Sequence, residues 1–153
     1  MTGIPTNATF YEYRGERLLR RSGGGDYQRV AVDGELTLAR FPEALEFSAD
    51  ADDPWVMLPT WAFDAWYQQR VRGRWHGVPV EVVSPVKRGL GRGLVNLDYI
   101  GVRPDEALAA GFRGDQYFGW SATVPPAEVE DITVELTRLE ISERYRRNGS
   151  GER

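Results

Sequence analysis

The chain has 153 residues, 41% of them hydrophobic and 12% aromatic, with five Trp, seven Tyr and six Phe. That length holds one ordinary domain or two small ones and excludes three, and the apolar content supplies a real core. Cysteine is absent, which excludes a disulfide framework, a thiolate metal site and a cysteine nucleophile and favours a reducing compartment. The net charge of −4 argues against whole-surface binding to nucleic acid.

The first ten residues are polar, contain Pro5 and lack a basic start followed by an apolar run. No window approaches the roughly 18 apolar residues of a membrane span, so a cytoplasmic protein is expected. Strand signals begin at Phe10, Tyr11 and Tyr13. Gly15 marks a tight turn, Leu18 and Leu19 open a second apolar stretch, and Gly23, Gly24 and Gly25 force a hairpin loop. Residues 27–32 read as the next strand, with 35–41 as its hairpin partner across Asp33-Gly34. The acidic stretch 48–54 ends in Pro54 and reads as a surface loop before a short apolar strand at 55–58. A helix is expected next, with Thr60 as N-cap, Trp61 and Ala65 on one face, and Arg70 and Arg72 near its end before Gly73.

From Arg74 the pattern starts again. Residues 78–83 form a strand, 87–93 a glycine-broken tip, and 94–100 a strand that buries Val95, Leu97 and Tyr99. Pro104 opens a short helix through Ala110 that Gly111 caps. Residues 117–120 read as a strand, Pro125 and Pro126 start one helical turn, and Ile132, Val134 and Leu136 alternate in a final strand. The tail 142–153 is polar and basic and reads as disordered.

Two segments line up internally. Tyr13, Gly15 and Leu18 match Trp75, Gly77 and Val80 at an offset of 62. Leu58-Pro59 with Phe63-Asp64 match Val124-Pro125 with Val129-Glu130 at an offset of 66, a drift that one loop insertion explains. An aromatic-x-Gly start, a glycine-tipped hairpin, short strands and a Pro-led turn within about 60 residues fit a small SH3-like barrel. The expected fold is therefore mainly β with short helices (β or α+β), as two SH3-like small barrel repeats packed together. Residues 1–72 form the first repeat with its closing helix, 73–141 the second, and 142–153 the tail.

The chain resembles small uncharacterised actinobacterial proteins whose halves begin with an aromatic-Arg-Gly step and end with a Val-Pro-x-x-Glu-Val-x-Asp step. The matching residues are Tyr13-Arg14-Gly15 and Val124-Pro125 with Glu128, Val129 and Asp131. The first half departs from the closing step, reading Leu58-Pro59-Thr60-Trp61. Chains of this type are suspected to be immunity partners of secreted toxins. The resemblance implies no catalytic residue and no ligand.

Chemistry-bearing residues are few. His76 is the single histidine, so no His-His metal pair or Cys-His couple can form, and a small hydrolase would have to be built on it without a Gly-x-Ser-x-Gly elbow. Gly89, Gly91 and Gly93 beside Lys87, Arg88 and Arg92 could cradle an anion but lack the Lys-Ser/Thr and helix of a phosphate loop. The leading expectation is a noncatalytic protein-binding module, an immunity protein that blocks a cognate toxin through Asp50, Asp52, Asp53 and Trp55, where clustered negative charge favours capture of a cationic cleft. No cofactor or metal is expected. The alternative is a tandem SH3-like reader of peptide or nucleic acid using Arg72, Arg74 and Trp75; nucleic acid is the less expected ligand.

Overall fold

The computed structural model describes residues 3–149, which form mainly antiparallel β structure with a few short helices. The elements are β1 (Ala8–Tyr13), β2 (Glu16–Gly23), β3 (Tyr27–Ala31), β4 (Glu46–Phe47), β5 (Trp55–Pro59), β6 (Ala65–Trp75), β7 (Val78–Pro85), β8 (Val95–Tyr99), α1 (Pro104–Ala110), β9 (Arg113–Asp115), β10 (Gly119–Val124), β11 (Glu130–Leu139) and α2 (Glu143–Gly149). Single 3-10 turns lie at Thr60–Ala62 and Pro126–Glu128. No helix among the described residues is long and apolar enough to cross a membrane.

Two compact units emerge. The first unit comprises Ala8–Gln68 and Thr137–Arg153, the second Gln69–Leu136 and Met1–Asn7. The divisions fall inside β6 and inside β11, beside the expected boundaries at 72 and 141. Hydrogen bonds explain the grouping of the N-terminal arm. Gln69 Nε2 donates to the Thr6 carbonyl at 2.8 Å, the Val71 N–H donates to Asn7 Oδ1 at 2.7 Å, and the Asn7 N–H reaches the Val82 carbonyl at 2.9 Å.

In the first unit the strand order is β4-β5-β3-β2-β1, with the start of β6 next to β1. Tyr13 pairs Glu16 across a two-residue turn in which Arg14 and Gly15 have φ of 50° and 86°. Positive φ at both positions matches the twist of the flanking strands and suits glycine at the second. β2 carries a bulge between Arg20 and Ser22 where it meets β3. β3 then pairs with β5, and residues 35–41 form turns instead of the expected partner strand. There the Arg40 guanidinium donates to the Asp33 and Glu35 carbonyls, which folds the segment back and drives Phe41 fully into the core.

The helix expected after Thr60 is the largest correction. Only Thr60–Ala62 is helical, and Ala65–Trp75 is a strand. Thr60 provides no side-chain cap; its hydroxyl donates to the Gly25 carbonyl at 2.8 Å. Tyr67, Val71 and Trp75 are buried while Gln68, Arg70, Arg72 and Arg74 are exposed, an alternation of period two that the β-favouring aromatic and β-branched residues support. The expected disorder of 142–153 is corrected for Glu143–Gly149, which is helical. Ile141 is 4% exposed in the first unit's core and Tyr145 packs against the same cluster, so apolar burial orders this polar stretch. Residues 150–153 lie outside the described residues.

The second unit has the order β6-β7-β8-β10-β9, with β11 also paired to β6. Trp75 pairs Val78 across His76 and Gly77, whose φ values are 52° and 80°. β7 is bulged between Val82 and Ser84 against β8. The turn and the bulge both lie 62 residues after their first-unit counterparts. Val95 and Leu97 are buried as their alternation predicts, and α1 ends at Gly111 with φ of 110°. The expected strand at 117–120 begins only at Gly119, since the Asp115 carboxylate accepts the N–H groups of Tyr117 and Phe118 and closes a turn. The core is Val71, Val78, Val80, Val82, Val95, Leu97, Phe112, Val124 and Val129 around Trp75.

Candidate binding surfaces

Local hydrogen bonding divides the acidic loop into two parts. Asp50 Oδ1 accepts the Asp52 N–H at 2.9 Å and the Asp50 carbonyl accepts the Asp53 N–H at 3.2 Å, so the segment 50–53 is a closed turn. Asp53 is half-buried and ion-paired with Arg21. Asp50 and Asp52 are exposed, and among the described residues neither meets a cation. The sequence-derived trio therefore becomes a pair of open carboxylates beside a neutralised one.

Trp55 lies beside this turn, its N–H fixed by Ser48 Oγ at 3.0 Å. It is half-buried on the outer face of β5. Arg29 stands on the same face of β3, its guanidinium 5.3 Å from the Trp55 ring and 5.4 Å from that of Tyr27. Arg29 and Met57 are directly opposite in the register, as are Ala31 and Trp55. Tyr27, Arg29 and Trp55 thus make one aromatic and cationic strip next to the open carboxylates. Sequence reading found Trp55 but missed Tyr27 and Arg29, although the strand's alternation of exposed Tyr27 with buried Gln28 and Val30 carries the signal.

The second candidate patch does not survive as a unit. Arg72 and Arg74 are exposed on β6, but Trp75 is 6% exposed and belongs to the core. Its Nε1–H donates to Glu128 Oε1 at 3.0 Å, and its ring meets Phe112 edge-on at 5.1 Å. Arg74 is held by the Gly77 carbonyl at 2.8 Å, while Arg72 faces Glu81 across the strands. Glu81 in turn faces Asp98 and lies 3.6 Å from Arg70. Partial burial, with Glu81 alongside, holds the Asp98 carboxyl above the ordinary aspartate value. This sheet face mixes both signs of charge.

His76 has a structural position. It occupies the left-handed turn, stacks on Trp75 at 3.8 Å, and places Nδ1 2.6 Å from the Ala110 carbonyl, which fixes the proton on that nitrogen. In the glycine-rich tip at 87–93 the Arg92 and Gly93 N–H groups are used internally, donating to the Gly89 and Val86 carbonyls. Among the described residues no group of three acidic or histidine side chains is placed to hold a metal ion.

One ionisable pair stands out in the first unit. The Tyr13 hydroxyl donates to Glu43 Oε1 at 2.5 Å, and Arg14 reaches Glu43 Oε2 at 3.2 Å. Burial, followed by the Glu43 bond and charge, pushes the Tyr13 hydroxyl up to about 12. Burial works to raise Glu43, but hydrogen bonds from Tyr13 and its own backbone, together with Arg14, outweigh it and leave the carboxyl below the ordinary range. No protein-family model, no curated protein and no solved structure matches this chain.

Proposed function

We propose that this chain is a noncatalytic, cofactor-free cytoplasmic binding protein that blocks a cationic partner, an immunity protein occupying a toxin's active-site cleft. The observation that carries the reading is the pair of exposed carboxylates, Asp50 and Asp52, without cation partners among the described residues, set beside the Tyr27, Arg29 and Trp55 strip. Uncompensated carboxylates raise the association rate toward a basic cleft, and half-buried aromatics supply anchoring area. The resemblance to small actinobacterial proteins suspected of toxin immunity favours the same class.

The finer fold reading belongs with this proposal. Each unit is read as an SH3-like barrel, supported by a tight two-residue turn, a bulged second strand, a 3-10 turn before the last strand, and that last strand lying next to the first. β6 then serves as last strand of one repeat and first strand of the next.

The test is affinity capture of the tagged chain from native lysate and secreted fraction, then calorimetric titration of the retained partner against variants. Asp50→Asn with Asp52→Asn is expected to weaken a one-to-one complex about tenfold, mostly through slower association at low salt. Arg72→Ala with Arg74→Ala should leave it unchanged. The reverse pattern, or a retained partner that is nucleic acid with a steep salt dependence, would replace the inhibitor reading by that of a tandem reader.

A further inference from the structure

We propose that the second unit carries a docking edge for the C-terminal end of a partner's polypeptide, which adds to β10 as a short antiparallel strand and sets its terminal carboxylate against Arg113. β10 is paired with β8 from Ser121 to Val124, but with β9 only from Gly119 to Ser121. Its outer edge is therefore open from Ala122 onward, and among the described residues no loop backbone bonds to residues 122–124. A pocket of about 430 Å³ lies there, lined by residues 121–124 together with Trp75, Gly111 and Arg113. Successive side chains of a strand point to opposite faces, so four consecutive residues share one pocket only along the strand's edge. The space thus fits an extended backbone, whose amides and carbonyls would complete the ladder that β9 leaves unfinished.

β9 decides which part of a chain fits. It stands in line with the open edge and blocks it beyond Arg113, while Phe112 turns away into the core, 2% exposed with its N–H on the Ala107 carbonyl at 3.0 Å. The open residues of β10 span roughly 10 Å, so a strand entering there has to end beside Arg113. Run antiparallel to β10, the incoming strand ends in its C-terminal carboxylate; run parallel, it would put an N-terminal ammonium against a guanidinium. Arg113 is exposed and has no ion pair among the described residues, and Asp98, one strand beyond Ser121 in the register, does not neutralise it. A guanidinium so placed favours the antiparallel chain end through a charge-assisted hydrogen bond. The two walls set the side chains: Trp75, Ala122 and Val124 belong to the core side, whereas Ser121 and Thr123 are exposed hydroxyl residues, a surface for alternating apolar and polar residues. This site uses none of the acidic-loop residues and does not rest on the inhibitor reading.

Amide-detected NMR titration of the full chain tests it, with four probes: N-acetyl-Thr-Val-Thr-Val bearing a free carboxylate, the same peptide as its C-terminal amide, the same peptide N-methylated along its backbone, and acetate. The free-carboxylate peptide is expected to shift Gly111, Ala122, Thr123 and Val124 and to bind about fivefold or more tightly than the amide. The N-methylated peptide should lose binding with its ladder bonds, and acetate, which has no backbone to pair, should bind more weakly than the peptide. Arg113→Gln should bring the carboxylate and amide forms to equal affinity, and Arg113→Lys should restore part of the difference. The Arg113 side chain is exposed, so neither variant puts the fold at risk. No shifts at residues 122–124 with the free-carboxylate peptide, equal binding of its amide, its N-methylated form or acetate, or an unchanged preference in Arg113→Gln would overturn the proposal.

Discussion

The two units repeat one hairpin device and finish it differently. In both, an aromatic residue precedes a turn of two positive-φ residues and the following strand is bulged at the same distance. In both, that aromatic is tied to a glutamate from elsewhere in its own unit, Tyr13 to Glu43 and Trp75 to Glu128. The surroundings diverge. The first core is aromatic, with Tyr11, Tyr13, Phe41 and Phe63, while the second is packed with valines around Trp75. Shared turn chemistry thus sets the hairpin, and the residues that fill the space behind it decide which faces are left for binding.

Truncation at the centre of each core gives the largest effect. Leu58 and Leu97 are fully buried, and either changed to Ala should cost about 2–5 kcal/mol, the span expected for a residual cavity. Hydrogen exchange separates the two: Leu58→Ala should lower protection chiefly in β3 and β5, and Leu97→Ala in β7, β8 and β10. Protection lost equally in both units by either change would show that the cores are not energetically distinct.

A close backbone approach in the second unit ranks next. A Cβ on Gly73 would lie 2.8 Å from the Glu130 carbonyl oxygen and 2.9 Å from Val129 Cγ1. Gly73→Val should cost about 2–3 kcal/mol by overpacking the approach of β11 to β6, read as a drop in denaturation midpoint. A midpoint within experimental error of the parent would mean β11 can shift freely.

The aromatic–glutamate ties should differ in strength. Tyr13→Phe removes a part-buried charge-assisted hydrogen bond to the half-buried Glu43 and should cost about 1–2 kcal/mol, whereas Glu128→Ala removes an exposed carboxylate from Trp75 Nε1 and should cost less than about 1 kcal/mol. The pH dependence has a definite sign. The Tyr13 hydroxyl is raised from 10.0 to about 12, so its contribution is complete below pH 10 and is lost as pH climbs through about 12. Glu43 is depressed, so its contribution is complete above the ordinary glutamate range and is lost as pH falls through its lower folded value. Denaturation midpoints from pH 8 upward should therefore fall more steeply in the parent than in Tyr13→Phe. Parallel alkaline limbs would contradict the tie.

Much of this architecture was legible because period-two alternation and glycine placement are local signals. Val95 and Leu97 in β8, the Gly111 cap and both aromatic-x-Gly turns follow from neighbours in sequence. The misread segments depend on distant partners. Thr60 has the chemistry of an N-cap, but its hydroxyl is claimed by Gly25, and Tyr67, Val71 and Trp75 then alternate as a strand. Asp33-Gly34 has the chemistry of a hairpin, but β5 takes the edge of β3. The same limit governs the sites. Asp50, Asp52 and Trp55 were visible as composition, while Asp53's pairing with Arg21, the burial of Trp75 and the open edge of β10 beside Arg113 exist only after folding.

The smallest expected effect is the most direct test of the repeat. Gly15 and Gly77 sit at φ of 86° and 80° with no atom near the place of a Cβ, so an added methyl meets no clash and only the backbone conformation is penalised. Gly15→Ala and Gly77→Ala should each cost about 1 kcal/mol, from the unfavourable left-handed conformation of an L-residue, partly offset by the lower chain entropy of alanine when unfolded. The informative quantity is the difference. If one turn geometry serves both units, the two values should agree within about 0.5 kcal/mol despite Arg14 preceding one glycine and His76 the other. A much larger cost at Gly77 would mean that the His76 stack on Trp75 and its bond to Ala110 hold that turn more rigidly than the bonds of Arg14 to Glu43 and Asp64 hold its counterpart.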